Sequence, residues 1–170
     1  MKKAVVIYTS KYGATKKYAE WISQDLGADI FEEKNFDTKK FADYDTIIFG
    51  AGLYAGNIAV KKIFTKNYEQ ISSKKIIVFS VGLENPAEAK EKIRPQFPEN
   101  VEIFCFRGAL NVEELSFVHK QGLNMLKFIL SKKKTEELTE TEKEILSAIE
   151  KKSVDFTDKN AILPLAEYVK

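Results

Sequence analysis

Short apolar runs alternate with stretches of helical periodicity along the first two thirds of the chain. The runs of strand length are residues 3–9, 28–32, 46–51, 75–81 and 101–107. Four of the five are continuous in Val, Ile and Phe, as in strands that are buried on both faces of a sheet. The second run is interrupted by charge and is predicted to be an edge strand. This order predicts an α/β fold with a parallel sheet covered by helices on both faces.

Helices are predicted between the strands and after the last of them. In the first, Thr15, Ala19, Ile22 and Leu26 recur at helical spacing before a stop at Gly27. The other predicted crossover helices are 59–68 and 86–93, and after the fifth strand come 113–131, 139–151 and a helix after 158. The second of these has Thr139 and Glu142 at capping-box spacing. Pro164 lies inside the last, where it predicts a kink or a late start.

Length and charge limit the number of domains and the kinds of partner. With 170 residues the chain has room for one compact domain. We therefore predict a single domain over 1–170, within which 111–152 is a helical insertion. The formal net charge is only +2, so the strong positive field typical of a nucleic-acid partner is missing and none is expected.

Cysteine usage and hydropathy predict a cytoplasmic protein. The single cysteine, Cys105, has no partner for an internal disulfide, which favours a reducing compartment. The apolar run near the start is too short for a secretory segment and is interpreted as a strand. The chain also lacks the roughly 18 consecutive apolar residues that a transmembrane helix requires. There is no Cys/His cluster that indicates a metal site.

The turn after the first predicted strand is the most informative motif. In residues 6–15 a strand ends in a turn with hydroxyl groups and a glycine, and the turn opens a helix. Such a turn directs backbone N–H groups and the positive end of a helix dipole at one point, which favours a phosphate. The turn has neither the G-x-G-x-x-G of dinucleotide sites nor the G-x-x-x-x-G-K-[ST] of the P-loop, and so suits a monophosphate. The alternative is an ordinary strand-to-helix cap.

Two further loops of small residues are predicted at the same edge of the sheet. They are 50–57, which contains one aromatic residue, Tyr54, and 80–86. Ligands of open parallel sheets bind outside the carboxyl ends of the strands, where these loops lie. Each loop taken alone is compatible with a plain connection. Together they favour a ligand with a phosphate at one end and a planar apolar body.

The run 6–22 resembles the flavodoxin signature, with an apolar-apolar-aromatic strand, then Ser10 and Gly13, then Thr15, Ala19 and Ile22 at the family's spacing. The resemblance implies a doubly wound sheet of strand order 2-1-3-4-5 and the cofactor FMN. Its phosphate is expected in the first turn and its isoalloxazine ring between the other two loops. Tyr12 stands where flavodoxins often have a second hydroxyl residue, so one phosphate donor is either lost or moved to the phenol. The implied FMN-binding residues are Ser10, Lys11, Tyr12, Gly13, Ala14, Thr15, Gly52, Leu53, Tyr54, Ala55, Gly56, Val81, Gly82, Leu83, Glu84 and Asn85.

A closer resemblance extends over most of the chain. Residues 104–110, the long helical insertion and residues 154–158 are similar to the flavodoxin-domain family that includes menaquinone-dependent protoporphyrinogen oxidases (dehydrogenases). Those enzymes use FMN to remove hydrogens from protoporphyrinogen IX and pass the electrons to a membrane quinone. The resemblance implies an oxidoreductase of haem metabolism with a porphyrinogen substrate and a quinone acceptor, and no catalytic residue is assigned. The alternatives are a flavodoxin-type electron carrier that serves a redox protein, and a domain that has lost FMN.

The insertion is strongly segregated in charge. Residues 115–134 contain five lysines and no acidic residue, whereas 135–150 contain six glutamates and one lysine. A basic helix with Met and Phe is typical of an element that contacts a bilayer surface, so 113–134 is a candidate for peripheral membrane contact. The alternative is a helical hairpin in which the two charge blocks pair. His119 lies in this region and is expected to be solvated.

Overall fold

Five parallel strands form the centre of the molecule in a computed structural model that describes residues 3–54 and 56–170. These parallel strands are β1 (Ala4–Thr9), β2 (Asp29–Glu32), β3 (Thr46–Tyr54), β5 (Lys75–Gly82) and β6 (Val101–Arg107). Three short strands pair antiparallel, namely β4 (Asn57–Ile58), β7 (Ala109–Asn111) and β8 (Ser153–Asp155). The order in the large sheet is β2-β1-β3-β5-β6, with β4 paired to β3 outside this path. For the five predicted strands this is the order 2-1-3-4-5, with β2 at an edge. The predicted fold is confirmed.

The helices cover both faces of this sheet. They are α1 (Ala14–Leu26), α2 (Lys61–Ile71), α3 (Pro86–Ile93), α4 (Phe117–Ser131), α5 (Glu140–Lys151) and α6 (Leu163–Val169). Alternate strand residues face opposite sides, so Ile47 packs in one buried cluster with residues of α2 and α3, whereas Ile48 packs in the other with residues of α1 and α6. The two clusters explain why the central strands are apolar at every position.

Several element boundaries differ from the sequence prediction. The prediction ended the third strand at residue 51, but β3 continues to Tyr54, because the chain turns back and pairs Leu53 with Ile58 in an antiparallel hairpin. The helix predicted from 113 begins only at Phe117, because the Ser116 side chain caps it. The capping box of Thr139 and Glu142 is formed at the start of α5. Pro164 lies in the first turn of α6, which confirms a late start rather than a kink.

The two helices after β6 pack on each other and leave one face uncovered. Leu130 of α4 forms a small apolar cluster with Ile145 and Ile149 of α5. The segments before α4 and after α5 contain β7 and β8, which pair in a two-stranded antiparallel ribbon that the sequence did not predict. On α4 six large apolar side chains are exposed, namely Phe117, Val118, Met125, Leu126, Phe128 and Ile129, and we call this set the α4 apolar face. None of the helices in the described ranges is both long enough and apolar enough to cross a membrane.

Candidate functional site

The loop between β1 and α1 is shaped by a glycine and a serine. Gly13 has a φ of 92°, a left-handed conformation that favours glycine. The Ser10 hydroxyl accepts a hydrogen bond from the Gly13 amide at 3.2 Å, which tightens the turn. The first helical bond runs from the Lys17 amide to the Gly13 carbonyl at 3.0 Å. The amides of residues 14–16 therefore have no carbonyl acceptor within the helix.

The electrostatics of this loop favour an anion. The first turn of α1 has the sequence Ala14-Thr15-Lys16-Lys17, without an acidic residue that would neutralise the helix dipole. Thr15 is 4% exposed, so its side chain lies against the body of the protein rather than in solvent. Outside the loop, Lys17 forms an ion pair with Asp155 at 3.3 Å. The unpaired amides at the start of α1, the helix dipole and the charge of Lys11 therefore favour an anion such as a phosphate monoester.

The carboxyl end of β3 lies beside this loop. Thr9 is in register with Ala51, which places Gly52 and Tyr54 just beyond the point where β1 ends. Gly52 provides the room for the Tyr54 ring, since a Cβ added at Gly52 would lie 2.6 Å from that ring. Burial raises the pKa of Tyr54, and the nearby Tyr12 contributes in the same direction. Of the other predicted residues here, Gly56 has a positive φ of 77°, and Ala55 lies outside the described residues.

The carboxyl end of β5 forms the third part of the site. Gly52 is in register with Val81, and a Cβ added at Gly82 would lie 3.5 Å from that of Leu53, so the second and third loops are in contact. Two predicted residues here have side chains with structural partners. The Glu84 carboxylate pairs with Lys92 at 2.8 Å, and the Asn85 side chain caps α3 by accepting from the Ala87 amide.

The predicted residue Leu83 has another role. It is partly buried against the Leu130 cluster of the insertion. The third loop therefore connects the sheet edge to α4 and α5, a connection that spacing along the sequence did not indicate.

The structure brings His119 into the site, which the sequence prediction missed. Its Nδ1 atom lies 2.7 Å from the Tyr12 hydroxyl, and its ring stacks on that of Tyr54 with centroids 4.7 Å apart and an angle of 28°. The expectation of a solvated surface histidine is wrong, because Ser116 caps α4 at the point where the phenol of Tyr12 reaches it. Burial lowers the pKa of His119, and the charge of Lys11 lowers it further.

Gly108 is a second site residue that spacing alone did not identify. Its amide donates to the Gly82 carbonyl at 2.7 Å, and a Cβ added there would lie 2.9 Å from Val81 Cγ1 and 3.7 Å from the Ala14 Cβ. Gly108 therefore sits between the first and third loops, where a larger side chain would force neighbours to shift. The only sequence signal for it was the resemblance over residues 104–110.

These features define a class of protein: a doubly wound α/β protein with a phosphate-type turn after its first strand and glycine-bearing segments after the next two central strands. The chain belongs to the flavodoxin-domain family, whose model matches residues 5–139. An uncharacterised protein of Methanocaldococcus jannaschii is 32% identical over 115 residues, which cover 62% of this chain and 75% of that protein. The resemblance to flavodoxins seen in the sequence is confirmed.

Two solved structures with similar folds are described as flavoproteins. A protein described as a flavoprotein from Bacteroides eggerthii is 13% identical, covers 74% of this chain and 98% of its own, and superposes with a TM-score of 0.50. A flavoprotein from Lactobacillus acidophilus, crystallised with FMN, is 17% identical over 63% of this chain and 93% of its own, with a TM-score of 0.49. At 13% identity the likeness to the Bacteroides eggerthii protein shows the fold alone.

Proposed function

We propose that this chain binds FMN and acts in oxidation–reduction chemistry. The observation that carries the proposal is the turn at residues 10–15, where three amides without helical acceptors, the Ser10 hydroxyl and the positive end of α1 meet. Family membership supports the same function.

The residues at the site fit such a group. No atom lies within 4 Å of a Cβ added at Gly13, so the outer side of the turn is open to a phosphate. Ser10, Gly13 and Thr15 would hold the phosphate, and the segments at 52–56 and 81–85 would hold the ring. Two side chains that the sequence placed among the FMN-binding residues have partners within the protein. Glu84 pairs with Lys92, and the Tyr12 hydroxyl is hydrogen-bonded to His119 and Ser116.

When bound, FMN supplies a centre that accepts and returns electrons, and the protein supplies position and electrostatics. The turn at 10–15 fixes the phosphate end, because its amides are held in place by α1. The Tyr54 ring offers an aromatic surface at the end of β3, 39% exposed. The ion pair of Lys92 with Glu84 offsets a negative charge that would otherwise oppose electron uptake at the third loop.

Titration with FMN and with riboflavin tests the proposal, because the two differ only in the phosphate. We expect the fluorescence of both flavins to be quenched when they bind the protein. The affinity for FMN should exceed that for riboflavin about tenfold or more. Ser10→Ala removes the acceptor of the Gly13 amide and should weaken FMN about two- to tenfold, with little change for riboflavin. Equal affinities for the two compounds, or no binding of either, would contradict the proposal.

We further propose that the chain oxidises a substrate of its own, as the resemblance to protoporphyrinogen dehydrogenases implies. One observation favours this over an electron carrier. The first turn of α4 lies against the segment 52–56, which would hold the flavin ring, because His119 stacks on Tyr54. A carrier needs its site open to a protein partner. The net charge of +2 also differs from the strongly acidic surface typical of carrier flavodoxins.

Anaerobic turnover distinguishes these two functions. The FMN-loaded protein is mixed with protoporphyrinogen IX and a menaquinone analogue, and the fluorescence of protoporphyrin is followed. An enzyme of this type gives product at a rate that depends on the quinone. Reversible reduction of the loaded protein without product would instead assign it to electron transfer between proteins.

We also propose that the α4 apolar face contacts the surface of a membrane, where a quinone would be available. Five lysines accompany this face in residues 115–134, and Lys133 is the one of them that pairs with a carboxylate of α5, Glu142. Apolar side chains beside lysines that have no carboxylate partner among the described residues suit the boundary of an anionic bilayer. With this contact, the chain would be a cytoplasmic protein that docks on the inner face of the membrane.

Flotation with vesicles tests this contact. We expect binding to vesicles that contain phosphatidylglycerol, weaker binding at high salt and weaker binding to neutral vesicles. The double variant Met125→Ser with Ile129→Ser should lose binding, whereas Leu163→Ser, an exposed residue of α6, should not. Dimerisation that depends on protein concentration, without vesicle binding, would assign the face to a second copy instead.

A further inference from the structure

Tyr12 departs from the hydroxyl residue that flavodoxins often have in the first turn, and the structure gives its phenol a different use. Its hydroxyl accepts from the Ser116 amide at 3.1 Å and lies 2.7 Å from His119 Nδ1. It also lies 3.4 Å from the Ser116 hydroxyl. These partners all belong to the start of α4, more than 100 positions away in the sequence. The phenol therefore connects the phosphate turn to the insertion.

The partner of this connection, His119, lies directly on Tyr54. The two rings are stacked at 4.7 Å, too close for a third ring between them. The ring of Tyr12 meets both edge-on, with centroids 5.5 Å from His119 and 6.3 Å from Tyr54. The three rings form one cluster that joins the first turn, the end of β3 and the start of α4. We call it the aromatic cluster.

We propose that His119, held by Tyr12, is a cofactor-contacting residue of the ring site, and that its imidazole with Tyr54 forms the wall that the isoalloxazine ring contacts. Tyr12 then positions His119 and is not a ligand of the phosphate. This inference rests on the proposed binding of FMN. It assigns to the insertion a direct part in holding the planar end of the cofactor.

The charges around His119 make the proposal testable by pH. The titratable groups packed against the imidazole are Tyr12 and Lys11 of the first turn and Tyr54 of β3. Burial and Lys11 lower the pKa of His119, so the imidazole is neutral at neutral pH. Acidification places a positive charge on the wall of the ring site. The fluorescence of a flavin bound beside this charge should change as a result. Burial raises the pKa of Tyr12, but the hydrogen bonds of Ser116 and the charge of Lys11 outweigh it, so that pKa is lowered.

Proton NMR gives the first test on the unmutated protein. His119 is the only histidine of the chain, so its imidazole signal needs no assignment by mutation. We expect FMN and riboflavin to shift this signal and to change the pH at which it titrates. Inorganic phosphate, which fills only the turn, should leave the signal close to its original position. A signal that stays unchanged when FMN is bound would overturn the proposal.

Two variants give the second test, with binding and fluorescence as readouts. Tyr12→Phe keeps the ring and removes the hydroxyl, and it should weaken FMN and riboflavin by the same factor, about two- to tenfold. Loss of affinity for FMN alone would make Tyr12 a phosphate ligand and refute the assignment. In the unmutated protein we expect the fluorescence of the bound flavin to change on acidification, as His119 is protonated. His119→Gln should abolish this change. A change that persists in this variant would also refute the assignment.

The outcomes separate this inference from the proposed function. If the unmutated protein binds neither flavin, the proposed function is wrong and the inference falls with it. If the protein binds FMN more tightly than riboflavin but His119 does not respond, the proposed function stands and only the inference is wrong. Ser10→Ala serves as the matched control, because it should affect FMN alone.

Discussion

The two helices that meet at the site, α1 and α4, are attached to the protein in different ways. In α1 the residues Thr15, Tyr18, Ala19 and Ile22 are buried, and they fix the phosphate turn to the sheet. In α4, a longer helix, only Leu130 is buried. The phosphate turn, itself partly exposed, is therefore anchored to the core by α1. In contrast, α4 is held mainly at its two ends, with Leu123 partly buried between them.

This difference predicts different mobility. The start of α4 is held by Tyr12 and Ser116, and its end by Leu130 and the ion pair of Lys133 with Glu142. Between these points Leu123 packs partly against the Leu130 cluster. The outer side is the α4 apolar face, whose side chains are 37–74% exposed. Segments with few buried contacts open at low free energy, so α4 is expected to exchange amide hydrogens faster than α1.

Substitutions in the two helices should differ most in global stability. Ile22 is fully buried, and Ile22→Ala should lower the free energy of unfolding by about 2–5 kcal/mol. Met125 is 67% exposed, and Met125→Ala should change it by less than about 0.5 kcal/mol. Denaturation in urea measures both. Similar losses for the two variants would mean that α4 is part of the core and would remove the contrast.

The same contrast explains what the sequence predicted well. The central strands and the turn between β1 and α1 follow from signals within a few residues of each other, such as the Ser10 and Gly13 pair and the continuous apolar runs. The strand order, in contrast, was implied by the resemblance to flavodoxins. The central strands and the buried side of α1, behind the turn, belong to the two buried clusters of the core. Local pattern and tertiary packing favour the same conformation there.

The contribution of α4 to the site had no such local signal. His119 meets Tyr12 across 107 positions, and the helical pattern around it gives no information about that contact. The three-residue strands β7 and β8 are also too short for periodicity to detect. The hairpin after β3 was predicted as a loop because its glycines are typical of turns.

The cap of α4 provides a smaller effect confined to one end of the helix. Ser116 accepts from the His119 amide, and Ser116→Ala should reduce the stability of the first turn by about 1 kcal/mol. Hydrogen exchange should accelerate at residues 117–121 without a change in α1. Ser131→Ala at the other end is the matched control, since within the described residues its hydroxyl bonds the Phe128 carbonyl of the same helix. Equal acceleration along the whole helix in Ser116→Ala would show that α4 opens as one unit.

The smallest effect concerns the ion pair at the other end of α4. The hydrogen bond from Lys133, together with the Thr139 amide, lowers the pKa of Glu142 below its ordinary value of 4.5. Because the folded-state pKa is depressed, the pair stabilises the protein above pH 4.5, and this contribution is lost as the pH falls through the folded-state pKa.

Glu142→Gln should therefore lower the melting temperature slightly at neutral pH and leave it unchanged in acid, where the unmutated carboxylate is protonated too. Glu140→Gln is the control, because the ion pair that the structure describes for Glu140 is with Lys143 inside α5. A difference between Glu142→Gln and the unmutated protein that persists in acid would assign the effect to the capping box of α5 rather than to the pair. The end of α4 would then depend on Leu130 and its apolar neighbours alone, and the contrast with α1 would be sharper.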